Sequence, residues 1–349
     1  MTISPRPSNY VWKYSPHSEK QKDVYLYLYT KGQDLKNLIP PTMAEKLEEQ
    51  SKKIKAILST YRETKIKIED YEFKDLLPEH VYRSYTSSHA MAQKWIFENL
   101  EKPPEYRILS MAHELAEEIA AMPLSVEGIS VRYNIFGTKT GRLTTLPGSY
   151  PILTLSKEKR SEILPRNDLF VELDFNGAEI RTLLALSGLA QPEEDIHQWN
   201  MTHLPPWVTR KEAKEAFFAW LYGTKNEEHP FSSLYSKEIY RNHWNAGLLT
   251  TPFSRQIEVD ERRALNYLLQ STTSDIVLEN AHKVASLLQG KRSFIAFTMH
   301  DSVVVDYAAA DLAALEEVVE SFETTRLGRY KASVSMGKDF CNMRAVTNA

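Results

Sequence analysis

Two aspartates and one helix face carry the residues best suited to chemistry. Asp174 closes a β-rich run, Leu169 to Phe175, and Asp301 lies within another, Phe294 to Tyr307. Singly, a strand-end Asp is an ordinary turn or N-cap residue. Brought together at adjacent strand ends, two of them offer the oxygen donors that a hard divalent cation takes. Further along, Arg210, Lys214, Phe218 and Tyr222 recur at four-residue steps. At 3.6 residues per turn such steps drift by only about 40° each, so two cations and two aromatics share one broad face. A fork-shaped guanidinium and a point-charge ammonium are both good phosphate donors, and flat rings suit planar ligands. Ala213, Ala216, Phe217 and Trp220 form an apolar face elsewhere on the same helix. A plain amphipathic helix accounts for those four and leaves the order on the other side unexplained.

Positioning such groups takes a folded scaffold, and the chain has the means. Its 349 residues, 42% hydrophobic and 26% charged, suit an ordinary soluble protein of one large or a few modest domains. The single cysteine, Cys341, excludes an intramolecular disulfide and a thiolate zinc cluster, which fits a reducing cytoplasm. The first residues, MTISPRPSNYVWKYSPHSEKQ, lack the apolar core of a signal peptide, and no long apolar run follows, so neither secretion nor a membrane partner is expected. The net charge of −3 argues on average against a phosphate-binding surface, but averages hide placement. Lys52, Lys53, Lys55, Arg62, Lys65 and Lys67 face only Glu63 in one stretch. That stretch is either a solvated helix face or a grip for a polyanion.

Periodicity predicts helices over Met43 to Tyr61 and Arg107 to Met122, the second ended by Pro123. From Gly128 the character becomes α+β. Ile129 to Ile135 and Leu169 to Phe175 read as strands, and Phe294 to Tyr307 as a β-hairpin with His300-Asp301 at its turn. After Phe175, Ile180, Leu183 and Leu184 at helical spacing predict a strand, a turn and then a helix.

Several segments, in order, resemble the polymerase domain of the family A, or DNA polymerase I, DNA polymerases. Thr140-Gly141-Arg142-Leu143-Thr144-Thr145 is similar to the family's T-G-R-L-S-S loop. Leu173-Asp174-Phe175-Asn176-Gly177-Ala178-Glu179-Ile180-Arg181 resembles motif A, D-Y-S-Q-I-E-L-R, with Asp, Glu and Arg at their offsets. The segment from Arg210 to Gly223 matches all five fixed positions of motif B, R-x-x-x-K-x-x-x-[FY]-x-x-x-Y-G. Thr298 to Val305, with His300-Asp301, resembles motif C. Arg262, Asn266 and Gln270 at four-residue steps, the Asp195-Ile196-His197 triplet and Gly337-Lys338-Asp339-Phe340 are similar to further family signatures. The resemblance runs from about Val131 to Phe340, some three-fifths of the chain.

The resemblance implies a right-hand polymerase fold: an antiparallel-sheet palm, helical fingers and a helical thumb. Residues 1–127 would be an N-terminal helical region including the thumb, 128–190 the first part of the palm, 191–258 the fingers and 259–349 the rest of the palm. It implies template-directed addition of dNTPs to a primer 3′-hydroxyl with two Mg²⁺ ions held by Asp174, Asp301 and the Phe175 carbonyl. Arg210, Lys214 and His197 would meet the triphosphate, and Phe218 and Tyr222 the base and sugar. Glu179 would crowd the 2′ position and exclude ribonucleotides. Phe218, where some relatives carry Tyr, implies poor use of dideoxynucleotides. Arg142, Arg262, Asn266, Gln270 and His300 would contact the primer-template, and Lys52, Lys53 and Lys55 at the thumb tip would grip duplex phosphates.

The chain also departs from the family. Ser302 stands where motif C usually has Glu, and Phe217 and Ala219 where many bacterial members have Asn and Gly. Compact spacing around motif B suggests a divergent, phage-encoded member, with any proofreading exonuclease or processivity factor supplied as a separate partner. Two alternatives stand beside this reading. A single-subunit RNA polymerase relative would also carry His-Asp-Ser, but must lack a sugar gate such as Glu179. A catalytically inactive primer-template-binding paralogue would not need both aspartates and the Arg-Lys-Phe-Tyr face.

Overall fold

The computed structural model describes residues 26–66, 68, 71–126, 128–223 and 229–346. Lys67, expected among the thumb cations, lies outside them. The chain divides into two compact units, Met1–Tyr106 and Arg107–Ala349.

In the first unit, Pro41 opens α1 (Pro41–Glu63), where its fixed φ suits the first helical turn and its missing N–H costs nothing. α1 packs on α2 (Glu79–Asn99). Leu47, Ala92 and Ile96 bury together with Leu26 and Ile39, while Ile54, Leu77 and Tyr85 form a second apolar cluster. Between them the buried Gln50 amide donates to the Ser84 and Ser88 hydroxyls at 2.8 and 3.0 Å, so its burial leaves those N–H groups satisfied. The helix expected over Met43 to Tyr61 is thus present and slightly longer.

The second unit begins with α3 (Tyr106–Ala120), whose Leu109, Ala112, Leu115 and Ile119 are buried. Only Tyr133–Asn134 (β1) of the expected run Ile129 to Ile135 is a strand, paired with Thr144–Thr145 (β2). The flanking backbone is bonded otherwise: the Ser130 and Arg132 carbonyls accept from the Tyr150 and Leu146 N–H groups, and the Arg132 N–H donates to the Ser149 hydroxyl at 2.8 Å. The buried Tyr133 hydroxyl donates to the Thr298 carbonyl at 2.7 Å and accepts the Thr298 N–H at 3.1 Å, tying this segment to Thr298.

β3 (Leu169–Phe175) leads through Gly177 into α4 (Ala178–Leu186), as the strand, turn and helix reading expects. Gly177 has φ 63°, and a Cβ there would come 2.3 Å from Ile196 Cγ2, so only glycine fits. α5 (Ile196–Met201) and α6 (Arg210–Tyr222) follow. A three-stranded antiparallel sheet of β4 (Trp244–Asn245), β5 (Leu248–Thr250) and β6 (Gln256–Glu258) precedes the long α7 (Glu261–Leu288).

The hairpin is present with its strands at β7 (Phe294–Met299) and β8 (Ser302–Tyr307). After α8 (Leu315–Glu323) come the short pair β9 (Thr324–Thr325) and β10 (Gly328–Arg329), then β11 (Ala332–Gly337) and β12 (Arg344–Ala345). Five strands form one antiparallel sheet in the order β12-β11-β3-β8-β7. Phe170, Phe297 and Phe340 pack edge to face beside it, and Phe175 stacks on Phe322 of α8 with centroids 4.2 Å apart. A second core joins the helices: Ile180, Leu183 and Leu184 of α4, Phe217, Trp220 and Leu221 of α6 and Leu269 of α7.

Candidate functional site

The sheet brings the two aspartates to neighbouring strand ends. In the β3–β8 register Asp174 lies opposite Ser302, the residue after Asp301. The Phe175 N–H donates to the Asp301 carbonyl at 3.4 Å. His300, in the turn, takes a left-handed φ of 49°. Asp174 is open to solvent at its strand end. Desolvation by the protein around it first, and then the Glu172 and Asp301 carboxylates, push its carboxyl up to about 7, with Lys214 pulling the other way. Burial and the nearby Glu179 raise Asp301 as well, against the opposing charge of Arg142. Two carboxylates that resist ionising side by side create a demand for positive charge.

The donor chemistry fits a hard cation. Both side chains offer only oxygen, as does the Phe175 carbonyl, and among the described residues no group of three or more His, Cys, Asp or Glu forms a closed cage. An ion held by few protein ligands keeps room for water and phosphate oxygens, the habit of Mg²⁺. Glu172, two residues before Asp174, lies on the same face of β3, since strand side chains alternate. The Ser302 hydroxyl of β8 lies 3.1 Å from one of its carboxylate oxygens and the Ser335 hydroxyl of β11 3.3 Å from the other.

α6 is seated by a capping box, Thr209 with Glu212, and by Ala213, Phe217, Trp220 and Leu221 buried beneath it. Its opposite face carries the expected row: Arg210, Lys214 and Tyr222 exposed, Phe218 half-buried. The rings of Phe218 and Tyr222 stack with centroids 6.1 Å apart. Tyr222 donates its hydroxyl hydrogen to Glu179, and burial followed by the charge of Glu179 raises the phenol above its ordinary value. The other Glu179 oxygen accepts from Arg142 at 2.6 Å. One buried carboxylate therefore joins the Arg142 loop, α4 and α6.

Asp195 organises the far end of α6. It caps α5 by accepting the His197 and Gln198 N–H groups, takes the Asn176 amide at 2.5 Å, and holds Arg210 through two bonds of 3.0 and 2.6 Å. Burial works against its charge, but Arg210, Asn176 and the Gln198 N–H outweigh it and keep the carboxyl well below the usual range. Arg181, fully buried, donates to the Asn176, Pro192 and Glu194 carbonyls at 2.8 to 2.9 Å and fixes the loop ahead of α5. His197 itself is buried on α5. Burial, aided by Arg210, Lys214 and Arg181, lowers its imidazole to about 4, so it is neutral at pH 7, and its Nδ1 finds no partner among the described residues. Arg210 is already engaged with Asp195.

With this geometry in hand, comparison with known proteins gives a consistent answer. The chain resembles the POL domain of Pol1 from M. smegmatis, solved in complex with DNA primer-template and dNTP, with a TM-score of 0.54 over 93% of this chain and 70% of that one at 14% identity. The fold is that of a DNA polymerase domain. In sequence the chain is similar to a DNA polymerase of Mycobacterium phage L5, 27% identical over 198 residues, covering 48% of this chain and only 32% of that relative's length. No protein-family profile matches.

On this polymerase fold the expected DNA-contacting residues are partly gathered. Arg262 is exposed on α7, Asn266 and Gln270 are half-buried on it, and His300 is exposed at the hairpin turn. In the first unit, Lys52 and Lys53 pair with Glu48 and Glu49 at 3.4 and 2.7 Å along α1, and Lys55 is exposed. Four residues escape the motif reading. Alternation along β3 signals Glu172, and the departure from motif A signals Asn176. Arg255 and Asp275, joined across 20 positions, have no local signal.

Proposed function

We propose that the chain is a template-directed DNA polymerase that adds dNTPs to a primer 3′-hydroxyl. The observation that carries this reading is the placement of Asp174 and Asp301 at neighbouring strand ends, with Lys214 of α6 bearing electrostatically on Asp174. The five-stranded sheet would be the palm, the α5–α6 region the fingers and the helices of the first unit the thumb.

Asp174, Asp301 and the Phe175 carbonyl would hold two Mg²⁺ ions, which when bound lower the hydroxyl pKa and neutralise the leaving pyrophosphate. Lys214, exposed and without a close carboxylate partner among the described residues, would take the triphosphate first. Arg210 would join it by sharing or leaving Asp195, so nucleotide binding and the position of α6 become linked. Neutral His197 would contribute a hydrogen bond rather than a charge. The Phe218 and Tyr222 rings would stack against base and sugar. Glu179, pinned by Arg142 and Tyr222, cannot easily swing aside, which is what exclusion of a 2′-hydroxyl requires. That gate also argues against an RNA polymerase.

The test is extension of a labelled primer on a template with Mg²⁺ and four dNTPs, beside Asp174→Ala and with ATP against dATP. Extension by the parent with dATP, lost in Asp174→Ala, is expected. No extension by a folded parent overturns the reading.

A further inference from the structure

The loop that carries Arg142 rests on a buried ion pair that none of the motifs contains. Arg255 ends a tight turn in which the Thr251 N–H donates to the Arg255 carbonyl at 2.9 Å and the Arg255 N–H donates to the Thr251 hydroxyl at 3.2 Å. Its guanidinium runs into the protein and meets Asp275 of α7 through Nε at 3.1 Å and Nη2 at 2.6 Å. The two side chains are 8% and 0% exposed.

The guanidinium lies directly under Gly141. That residue has φ 79°, and a Cβ built on it would come 2.6 Å from Arg255 Cζ. The Gly141 backbone therefore rests against the flat cation, and the next residue is Arg142. Thr138 closes the same turn by donating its hydroxyl to the Arg142 carbonyl at 2.9 Å. Arg142, Ser274, Thr298 and His300 then line one cavity, so the loop, α7 and the hairpin turn converge beside the pair.

We propose that Arg255 and Asp275 form a clamp that fixes the Arg142 loop against α7, making Arg255 a positioning residue for recognition of the primer-terminal base pair. The proposal rests on the reading that Arg142 meets the primer-template. Minor-groove acceptors are common to all base pairs, so a donor there tests pair geometry only if its position is held. A flexible loop would let Arg142 follow a misplaced base; a loop seated on a buried ion pair does not.

The experiment compares single-nucleotide insertion from primers ending in guanine or in 3-deazaguanine, which lacks the minor-groove acceptor. The parent should insert about tenfold more slowly from the deaza primer, as loss of a charge-assisted hydrogen bond implies. Arg142→Ala should abolish that ratio. Arg255→Lys, which keeps the charge opposite Asp275 but removes the plate under Gly141, should reduce it to within about threefold while the nucleotide KM stays near the parent value. If Arg142→Ala retains the full ratio, the primer-terminus reading fails and the clamp with it. If Arg142→Ala abolishes the ratio and folded Arg255→Lys keeps it, the clamp alone is overturned. Should Arg255→Lys not fold, Asp275→Asn, which keeps an acceptor for the guanidinium but removes the charge that holds it, gives the same two-way decision.

Discussion

The guanidinium of Arg142 and the carboxylate of Glu179 meet at 2.6 Å, and the same carboxylate accepts the hydroxyl of Tyr222. Glu179 is 9% exposed, so it is a buried charge satisfied from two directions. Its neighbours come from the loop before β2 and from the end of α6. Whatever moves α6 must therefore stretch or carry this contact, and whatever draws Arg142 towards DNA must weaken it.

The first prediction concerns that gate. Glu179→Ala should raise ribonucleotide insertion relative to deoxyribonucleotide by about tenfold or more, since the obstructing side chain is gone. Tyr222→Phe removes one of the two bonds and leaves Arg142 in place, so its change should be smaller. Single-nucleotide insertion with paired ATP and dATP series measures both. Equal sugar ratios in parent and Glu179→Ala would end the gate assignment.

The two cations of α6 should separate in behaviour. Lys214 is exposed, so Lys214→Ala should leave stability within about 0.5 kcal/mol while raising the dNTP concentration needed for half-maximal rate. Asp195→Ala should cost about 1 kcal/mol for the lost N-cap alone and more for the released Arg210 and Asn176. Denaturant unfolding beside insertion kinetics distinguishes them. A Lys214→Ala enzyme with parental nucleotide dependence would contradict its triphosphate role.

Much of this arrangement is legible in the residues, for identifiable reasons. β3 and the β7–β8 hairpin are continuous β-rich runs whose ends carry the aspartates, and the four-residue steps of α6 survive as one exposed face. The run Ile129 to Ile135 keeps only a two-residue strand, and its Arg132 N–H goes to the Ser149 hydroxyl, a distant side-chain partner that a β-rich composition does not announce. The state of His197 is not legible in the residues: residue type sets an ordinary pKa, but burial among Arg181, Arg210 and Lys214 depends on three segments meeting. Arg255 and Asp275 are a long-range pair, and no periodicity joins a turn to the middle of a helix. Asn176, where the family resemblance breaks, proves to be a bridge from β3 to Asp195.

His197 makes acid stability a measurable consequence. Folded, its imidazole titrates at about 4 against an ordinary 6.5, so between those values the unfolded chain binds a proton that the folded chain refuses. The stability from the neutral ring is complete above pH 6.5 and is lost as pH falls through the folded value, with a slope of up to about 1.4 kcal/mol per pH unit for one proton. Asp195, held low by Arg210, adds acid sensitivity at still lower pH. Asp174, raised to about 7, runs the other way over the same range, so the readout is the difference between proteins: in urea unfolding from pH 6.5 to 4.5 the stability of the parent should fall more steeply than that of His197→Gln, by up to about 1.4 kcal/mol per pH unit. The same slope in both proteins would show that His197 is not the group responsible.

Glu172 yields the last prediction. The motif C position that follows Asp301 holds Ser302, whose hydroxyl lies 3.1 Å from the Glu172 carboxylate, and Glu172 in turn helps push the Asp174 carboxyl upward. The carboxylate bears on Asp174 through its charge, and the same field would act on a cation held at Asp174 and Asp301. A unit negative charge about 7 Å from a divalent cation is worth about 1 kcal/mol at the water-like dielectric of about 80 that suits a solvent-open strand end, which is about fivefold in affinity. Glu172→Gln should therefore raise the Mg²⁺ concentration for half-maximal extension several-fold and weaken calorimetric Mn²⁺ binding to the apo protein by a similar factor. Ser302→Ala keeps the charge and should stay near the parent in both. Unchanged metal dependence in a folded Glu172→Gln protein would show that the sheet's third carboxylate serves only the strands around it.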